Sequence, residues 1–154
     1  MIIDLLLERS IFGCLVFLVQ KEVGKKWVSS VDKHSSQYSA LSVFINYLAE
    51  TKFLLEVPRG AFNPSPLVDG ALISIKPYKN KLDTSKEKLI SFLNFLKNCF
   101  RFRRKSLLNN LNSFAGNYKE NWEKYFLEKK YSEKIRPQNL TSLEYWQLFV
   151  FWRK

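Results

Sequence analysis

Apolar positions come in blocks along the chain, and their spacing changes from block to block. Ile2, Ile3, Leu5, Leu6 and Leu7 make Met1–Arg9 read as the tail of a helix, cut into rather than begun, because no capping residue precedes it. Ile11–Val19 is a continuous run rich in Val, Leu and Phe. That pattern predicts a strand buried on both faces, as in a parallel sheet covered by helices. The chain then turns polar to Val28, with Val23 and Trp27 at helical spacing. Between Ser39 and Ala49, Leu41, Phe44, Ile45 and Leu48 recur at three and four residues, and Ser39 can cap the helix they predict. Lys52–Pro58 and Val68–Pro77 read as two further strands, the second with Ala71, Ile73 and Ile75 on one face. Joined across only about nine residues, these two are antiparallel neighbours.

Beyond Tyr78–Ser85, which is polar and basic, the pattern is helical to the end. Thr84-Ser85-Lys86-Glu87 has the form of a capping box, and Leu89, Phe92, Leu93, Leu96 and Phe100 follow as a buried stripe. Short helices are expected from Ser106 and from Asn121, the latter with Trp122, Tyr125 and Phe126 facing in. Arg136-Pro137 breaks the chain. Thr141-Ser142-Leu143-Glu144 repeats the capping-box form and opens a last helix through Trp146, Phe149 and Val150. The fold class is therefore α/β. Residues 1–78 form the closing part of an open sheet, and residues 79–154 form a small all-helical domain.

The connection between the last two strands is Phe62-Asn63-Pro64-Ser65-Pro66-Leu67-Val68-Asp69. Each proline fixes its own φ and pushes the residue before it toward an extended conformation, so the segment is stiff and carries an aromatic at its head. It can be a proline-rich turn with a core phenylalanine, or a holder for a ring on which a base stacks.

Charge adds a second candidate. Residues 1–78 carry 8 Lys/Arg against 7 Asp/Glu, and residues 79–154 carry 17 against 7. The excess lies almost wholly in the second half, which suggests a polyanionic partner. Within it, Arg101-Phe102-Arg103-Arg104-Lys105 places four cations in five residues. Such cations repel one another without anions, and phosphate contact resolves the repulsion; a solvated basic face is the plainer alternative.

No catalytic constellation is visible. The chain has no paired carboxylates on one helix face and no metal-ligand spacing, and none of its 5 glycines forms a G-x-G. His34, the single histidine, reads as a surface residue, and Cys14 and Cys99 as small buried residues in a reducing compartment. The uninterrupted run Ser10–Gln20 is too short to span a bilayer, and no signal peptide is legible, so a soluble cytoplasmic protein is expected.

Taken together, five blocks resemble a known family. Phe62-x-Pro64-x-Pro66-x-Val68-Asp69 resembles the F-x-P-x-P-x-V motif of rRNA adenine N6-methyltransferases. Val19-Gln20-Lys21-Glu22-Val23 and Ala40-Leu41-Ser42-Val43 are similar to runs of the dimethyladenosine transferases. Phe100-Arg101-Phe102-Arg103-Arg104-Lys105-Ser106-Leu107, with Asn109-Asn110-Leu111, resembles their F-x-x-R-R-K-[ST]-L stretch, and Arg136-Pro137-x-x-Leu140 their closing R-P-x-x-L. The R-R-K block favours the small-subunit rRNA dimethyltransferases over their macrolide-resistance relatives.

The resemblance implies an S-adenosylmethionine-dependent enzyme that dimethylates two adjacent adenosines of small-subunit (16S) rRNA, with a Rossmann-like sheet followed by a small helical domain. It implies that Phe62, with Pro64 and Pro66, walls the target-adenine pocket, and that Arg101, Arg103, Arg104 and Lys105 lie on RNA of the small ribosomal subunit. The family's Gly-rich methyl-donor loop, acidic ribose-binding residue and N-L-P-Y adenine site precede the point where this chain begins. Gly70 stands where the family has Ser, and Leu67 where it has Lys. The chain thus looks like the C-terminal portion of such an enzyme, with no complete catalytic set and no cofactor-binding residues. S-adenosylmethionine is not expected to bind it alone, and the cut sheet is expected to leave an open edge and uncovered apolar surface. The alternatives are a stand-alone RNA-binding or ribosome-assembly module, and half of a split enzyme that reassembles with an N-terminal chain.

Overall fold

The computed structural model describes residues 2–31, 35–79 and 84–153. His34 and part of the expected boundary stretch lie outside the described residues. The first elements are helix α1 (Ile2–Leu7), strand β1 (Leu15–Gln20), helix α2 (Lys21–Val28), helix α3 (Ala40–Leu48), strand β2 (Ala49–Val57) and strand β3 (Gly70–Pro77). The three strands form one antiparallel sheet in the order β1-β3-β2. The α/β class expected from the sequence is what the chain adopts, and the last two strands pair as antiparallel neighbours.

One expectation is corrected. The run from Ile11 yields a strand only from Leu15, paired antiparallel with β3, and its burial alternates instead of being complete. Leu15, Phe17 and Val19 turn toward the helices, whereas Val16 and Leu18 are 56% and 52% exposed. The physical cause is that α2 and α3 cover the face bearing Ala71, Ile73 and Ile75, which are fully buried. The approach of α2 is close. A Cβ on Gly24 would stand 2.9 Å from Ile73 Cδ1 and 3.2 Å from Ala71 Cβ. Trp27 of the same helix meets Phe17 edge-on, ring centroids 5.5 Å apart. On the other face Leu18 and Leu55 flank Leu72 across the register, and Leu55 is 50% exposed.

The remainder is helical: α4 (Lys86–Cys99), α5 (Leu107–Phe114), α6 (Lys119–Glu128) and α7 (Ser142–Trp152). Helix α4 buries Leu89, Phe92, Leu93 and Leu96, as the stripe predicts, and Phe100, the stripe's last residue, is buried just past its end. Its cap is Ser85, whose hydroxyl accepts from the Lys88 N–H, one residue later than the capping-box spacing from Thr84 suggests. Helices α3, α4 and α7 pack together through Phe44, Tyr47, Phe92, Trp146 and Phe149, so one cluster of buried side chains runs from Ile2 to Phe149. Buried Arg9, after α1, donates to the carbonyls of Leu6 (3.4 Å) and Thr84 (3.2 Å), tying the start of the chain to the entry of α4. Among the described residues no helix is long and apolar enough to cross a membrane.

Candidate functional site

The proline segment leaves β2 through a single 3-10 turn, Arg59–Ala61, and returns as β3 at Gly70. Its neck is closed by Asp69. The Asp69 carboxylate accepts the Arg59 N–H at 3.0 Å, and its carbonyl accepts the Lys21 N–H at 2.9 Å. Inside the loop, the Ser65 hydroxyl donates to the Arg59 carbonyl (2.9 Å), and so does the Phe62 N–H (3.3 Å). The Asn63–Pro64 peptide is cis. These hydrogen bonds close the segment into a loop.

Phe62 is half-buried, while Pro64 and Pro66 are exposed. The Phe62 ring tip sits over Gly70. A Cβ there would lie 3.6 Å from Phe62 Cζ, 3.5 Å from Val57 Cβ and 3.2 Å from Leu18 Cδ1. The ring therefore stands on the sheet's uncovered face, at the carboxyl ends of β1 and β2, where open α/β sheets take their ligands. A cleft of about 330 Å³ opens where the neck of the loop meets the start of α2, lined by Gln20, Lys21, Glu22, Arg59, Leu67, Val68 and Asp69; Phe62, Pro64 and Pro66 do not line it. An ion pair to Glu56 holds the Lys21 amine above its ordinary range and ties the start of α2 to β2.

β1 passes into α2 at Gln20–Lys21 without a glycine turn, no glycine among the described residues has a left-handed backbone, and Gly24 is spent on packing against Ile73.

The basic cluster is a turn between α4 and α5, built from the inside by one buried side chain. Asn110 is fully buried, and its amide oxygen accepts the Phe102 N–H at 2.9 Å. Its amide nitrogen donates to the carbonyls of Phe102 (3.1 Å) and Ser106 (3.0 Å). Ser106 caps α5 by accepting the Asn109 N–H at 3.3 Å. The helix N-terminus adds its partial positive charge to the four side-chain cations. Arg101, Arg103, Arg104 and Lys105 are all exposed, and among the described residues none pairs with a carboxylate. Arg103 donates to the Ser36 carbonyl at 2.7 Å. Arg101 Cζ and Lys105 Nζ lie 5.2 and 4.6 Å from the centroid of the Phe102 ring. The turn borders an open recess of about 670 Å³.

The structure thus gathers the four cations into one turn, and Phe62, Pro64 and Pro66 into one loop, on separate elements. The loop touches the N-terminal end of α2, whereas Arg103 reaches a segment beyond that helix's C-terminal end. Asp69 as the latch of the loop and Asn110 as the clip of the turn escape a reading of the sequence. The available signal for Asn110 is its place between Leu107 and Leu111 on the buried side of α5.

Residues 1–149 match the ribosomal RNA adenine dimethylase family. The chain is 34% identical over 143 residues to the ribosomal RNA small subunit methyltransferase A of Mycoplasmopsis pulmonis, covering 93% of this chain and 54% of that protein. Against the protein of the same description from Mycoplasmopsis synoviae it is 38% identical over 141 residues, covering 91% and 51%. It is similar to a crystal structure of a dimethyladenosine transferase from Plasmodium falciparum, with a TM-score of 0.75 at 22% identity, covering 98% of this chain and 61% of that one. That likeness shows a shared fold. The chain spans about half the length of the curated relatives it matches.

Proposed function

The chain belongs to the ribosomal RNA adenine dimethylase family, and from that membership we propose that it serves the S-adenosylmethionine-dependent dimethylation of two adjacent adenosines in small-subunit rRNA. In this reading residues 1–78 are part of the methyltransferase sheet domain, and residues 79–154 are a helical domain that lies on RNA. The observation that carries the reading is the latched loop, which holds the half-buried Phe62 ring over Gly70 at the carboxyl ends of two strands. Chemistry on a base requires it to leave the stack and be gripped by its faces. Phe62 offers one such face, and Pro64 and Pro66 stiffen the loop behind it. Arg101, Arg103, Arg104 and Lys105 neutralise the phosphates that bring the substrate there. The methyl-donor seat and the opposite wall of the adenine pocket come from polypeptide outside these residues. In the cell the protein works in the cytoplasm, where ribosomal subunits mature.

A second reading, an RNA-binding or ribosome-assembly module, is favoured by the single core that joins α3 to α4 and α7, because such a core lets the chain fold as a unit. Both readings need the basic turn to meet RNA. The test is titration of the chain with a small-subunit rRNA hairpin at several salt concentrations, beside the variant Arg103→Ala/Arg104→Ala/Lys105→Ala. The variant should bind more weakly, and its logarithmic salt slope should shallow by about 2, from the loss of about three phosphate contacts. Equal affinity and equal slope would reduce the cluster to a solvated face.

A further inference from the structure

We propose that Phe102 is a stacking platform for an unpaired nucleotide of the RNA, held between cations that fix the flanking phosphates. The inference rests on the RNA-contact reading above and assigns the turn a ligand, a single-stranded base, where charge alone would accept any polyanion.

Four observations converge on the ring. First, packing does not use it fully. Phe102 is 38% exposed, and from residue 84 to 153 it is the one exposed aromatic ring among the described residues. Its neighbour Phe100 is buried against Tyr38 and Tyr145 and fills the core role at this end of α4. Second, the backbone beneath the ring is fixed, because Asn110 bonds both the N–H and the carbonyl of Phe102, and the same carbonyl accepts the Lys105 N–H at 2.9 Å. A base that stacks here meets a ring already in place and has little loop ordering to overcome.

Third, Arg101 and Lys105 lie over the ring, 5.2 and 4.6 Å from its centroid, so a base that stacks there takes the place of a cation, and the displaced cation is already at hand for the flanking phosphate. Aromatic rings beside cations are the usual way proteins hold single strands. The ring takes the base's π-face, and the cations take the phosphates on either side. Fourth, Phe102 and the four cations together line one open recess. A paired stem shows phosphates but no free base face, so it can satisfy the cations and not the ring.

The experiment compares an RNA hairpin carrying an eight-nucleotide purine-rich loop with a blunt duplex of the same stem. Binding of the wild-type chain, Phe102→Leu and Phe102→Tyr is measured by fluorescence polarisation across salt. Phe102→Leu keeps apolar bulk and removes the aromatic face; Phe102→Tyr keeps the face. The leucine variant should lose about 5- to 150-fold in affinity for the looped RNA, the range of one lost base–aromatic stack, with its salt slope unchanged. It should bind the duplex as the wild type does, and the tyrosine variant should retain loop affinity. Unchanged loop affinity in Phe102→Leu, an equal loss on the duplex, or an equal loss in Phe102→Tyr would overturn the proposal. A wild-type chain that binds both RNAs while ignoring the leucine change sinks this inference alone. One that binds neither RNA sinks the RNA-contact reading with it.

Discussion

Asn110 shows how much of the basic turn depends on one side chain. It sits inside α5, where asparagine is a mediocre helix former, and it is fully buried. Its amide serves as an extra peptide group, filling the bonding needs of Phe102 and one of those of Ser106. Asn110→Leu would keep the volume and leave the part-buried Phe102 N–H without a partner. The expected loss is about 1–3 kcal/mol in urea unfolding; a midpoint unchanged from wild type would mean that water replaces the amide. The four cations were legible in the sequence because charge is a property of each residue alone. Asn110 was not, because its importance lies in which backbone groups it reaches. Cys14 makes the same point in reverse. Its apolar surroundings suggest burial, yet it is exposed ahead of an edge strand, whereas Cys99 is buried, and burial pushes its thiol up.

Helix termini were read from the sequence with more success, since a cap is a local pattern. Thr141 and Glu144 form the reciprocal box at the start of α7: the Glu144 N–H reaches the Thr141 hydroxyl at 3.3 Å, and the Glu144 carboxylate accepts the Thr141 N–H at 2.8 Å. The same carboxylate accepts from the Thr141 hydroxyl (2.7 Å) and from the Tyr131 hydroxyl (2.8 Å). Burial pushes this carboxyl up, but the bonds from Thr141 and Tyr131 outweigh it and leave the group below its ordinary range. A carboxyl depressed by folding contributes stability above its unfolded pKa and loses it as pH falls through the folded value. Glu144→Gln should therefore lower the thermal midpoint at pH 7, by the equivalent of about 0.5–2 kcal/mol, and the gap to wild type should close toward pH 3. A gap of the same size at both pH values would show that the charge is immaterial. Strand limits were less legible. Ile11–Val19 is apolar throughout, so periodicity could not say where pairing starts or which face is covered; that depends on α2 and α3, encoded later in the chain.

Across the molecule, the division between a sheet-bearing first half and a helical second half follows from periodicity alone. The strand order β1-β3-β2 and the clasp from Arg9 to Thr84 do not, because both join residues far apart in sequence. The uncovered sheet face is the clearest liability. Val16 and Leu18 stand in the open on β1 and Leu55 on β2, the two outer strands of the described sheet, in a chain about half the length of its relatives. Apolar faces with unpaired edges associate. Sedimentation velocity should show concentration-dependent self-association of the isolated chain, and Val16→Lys with Leu18→Lys should return it to a monomer with its helical circular dichroism intact. A monomeric wild-type chain at millimolar concentration would contradict this.

The position of β3 also sets an order in time. It is the central strand and the last of the three to be synthesised, and β1 and β2 each pair with it and not with each other. Every ladder in the sheet therefore waits for Gly70–Pro77 to leave the ribosome, roughly 3 to 11 s after β1 at ordinary translation speeds. Through that interval Val16 and Leu18 wait for the ladder that β3 gives them, and the apolar positions of β1 stay without it.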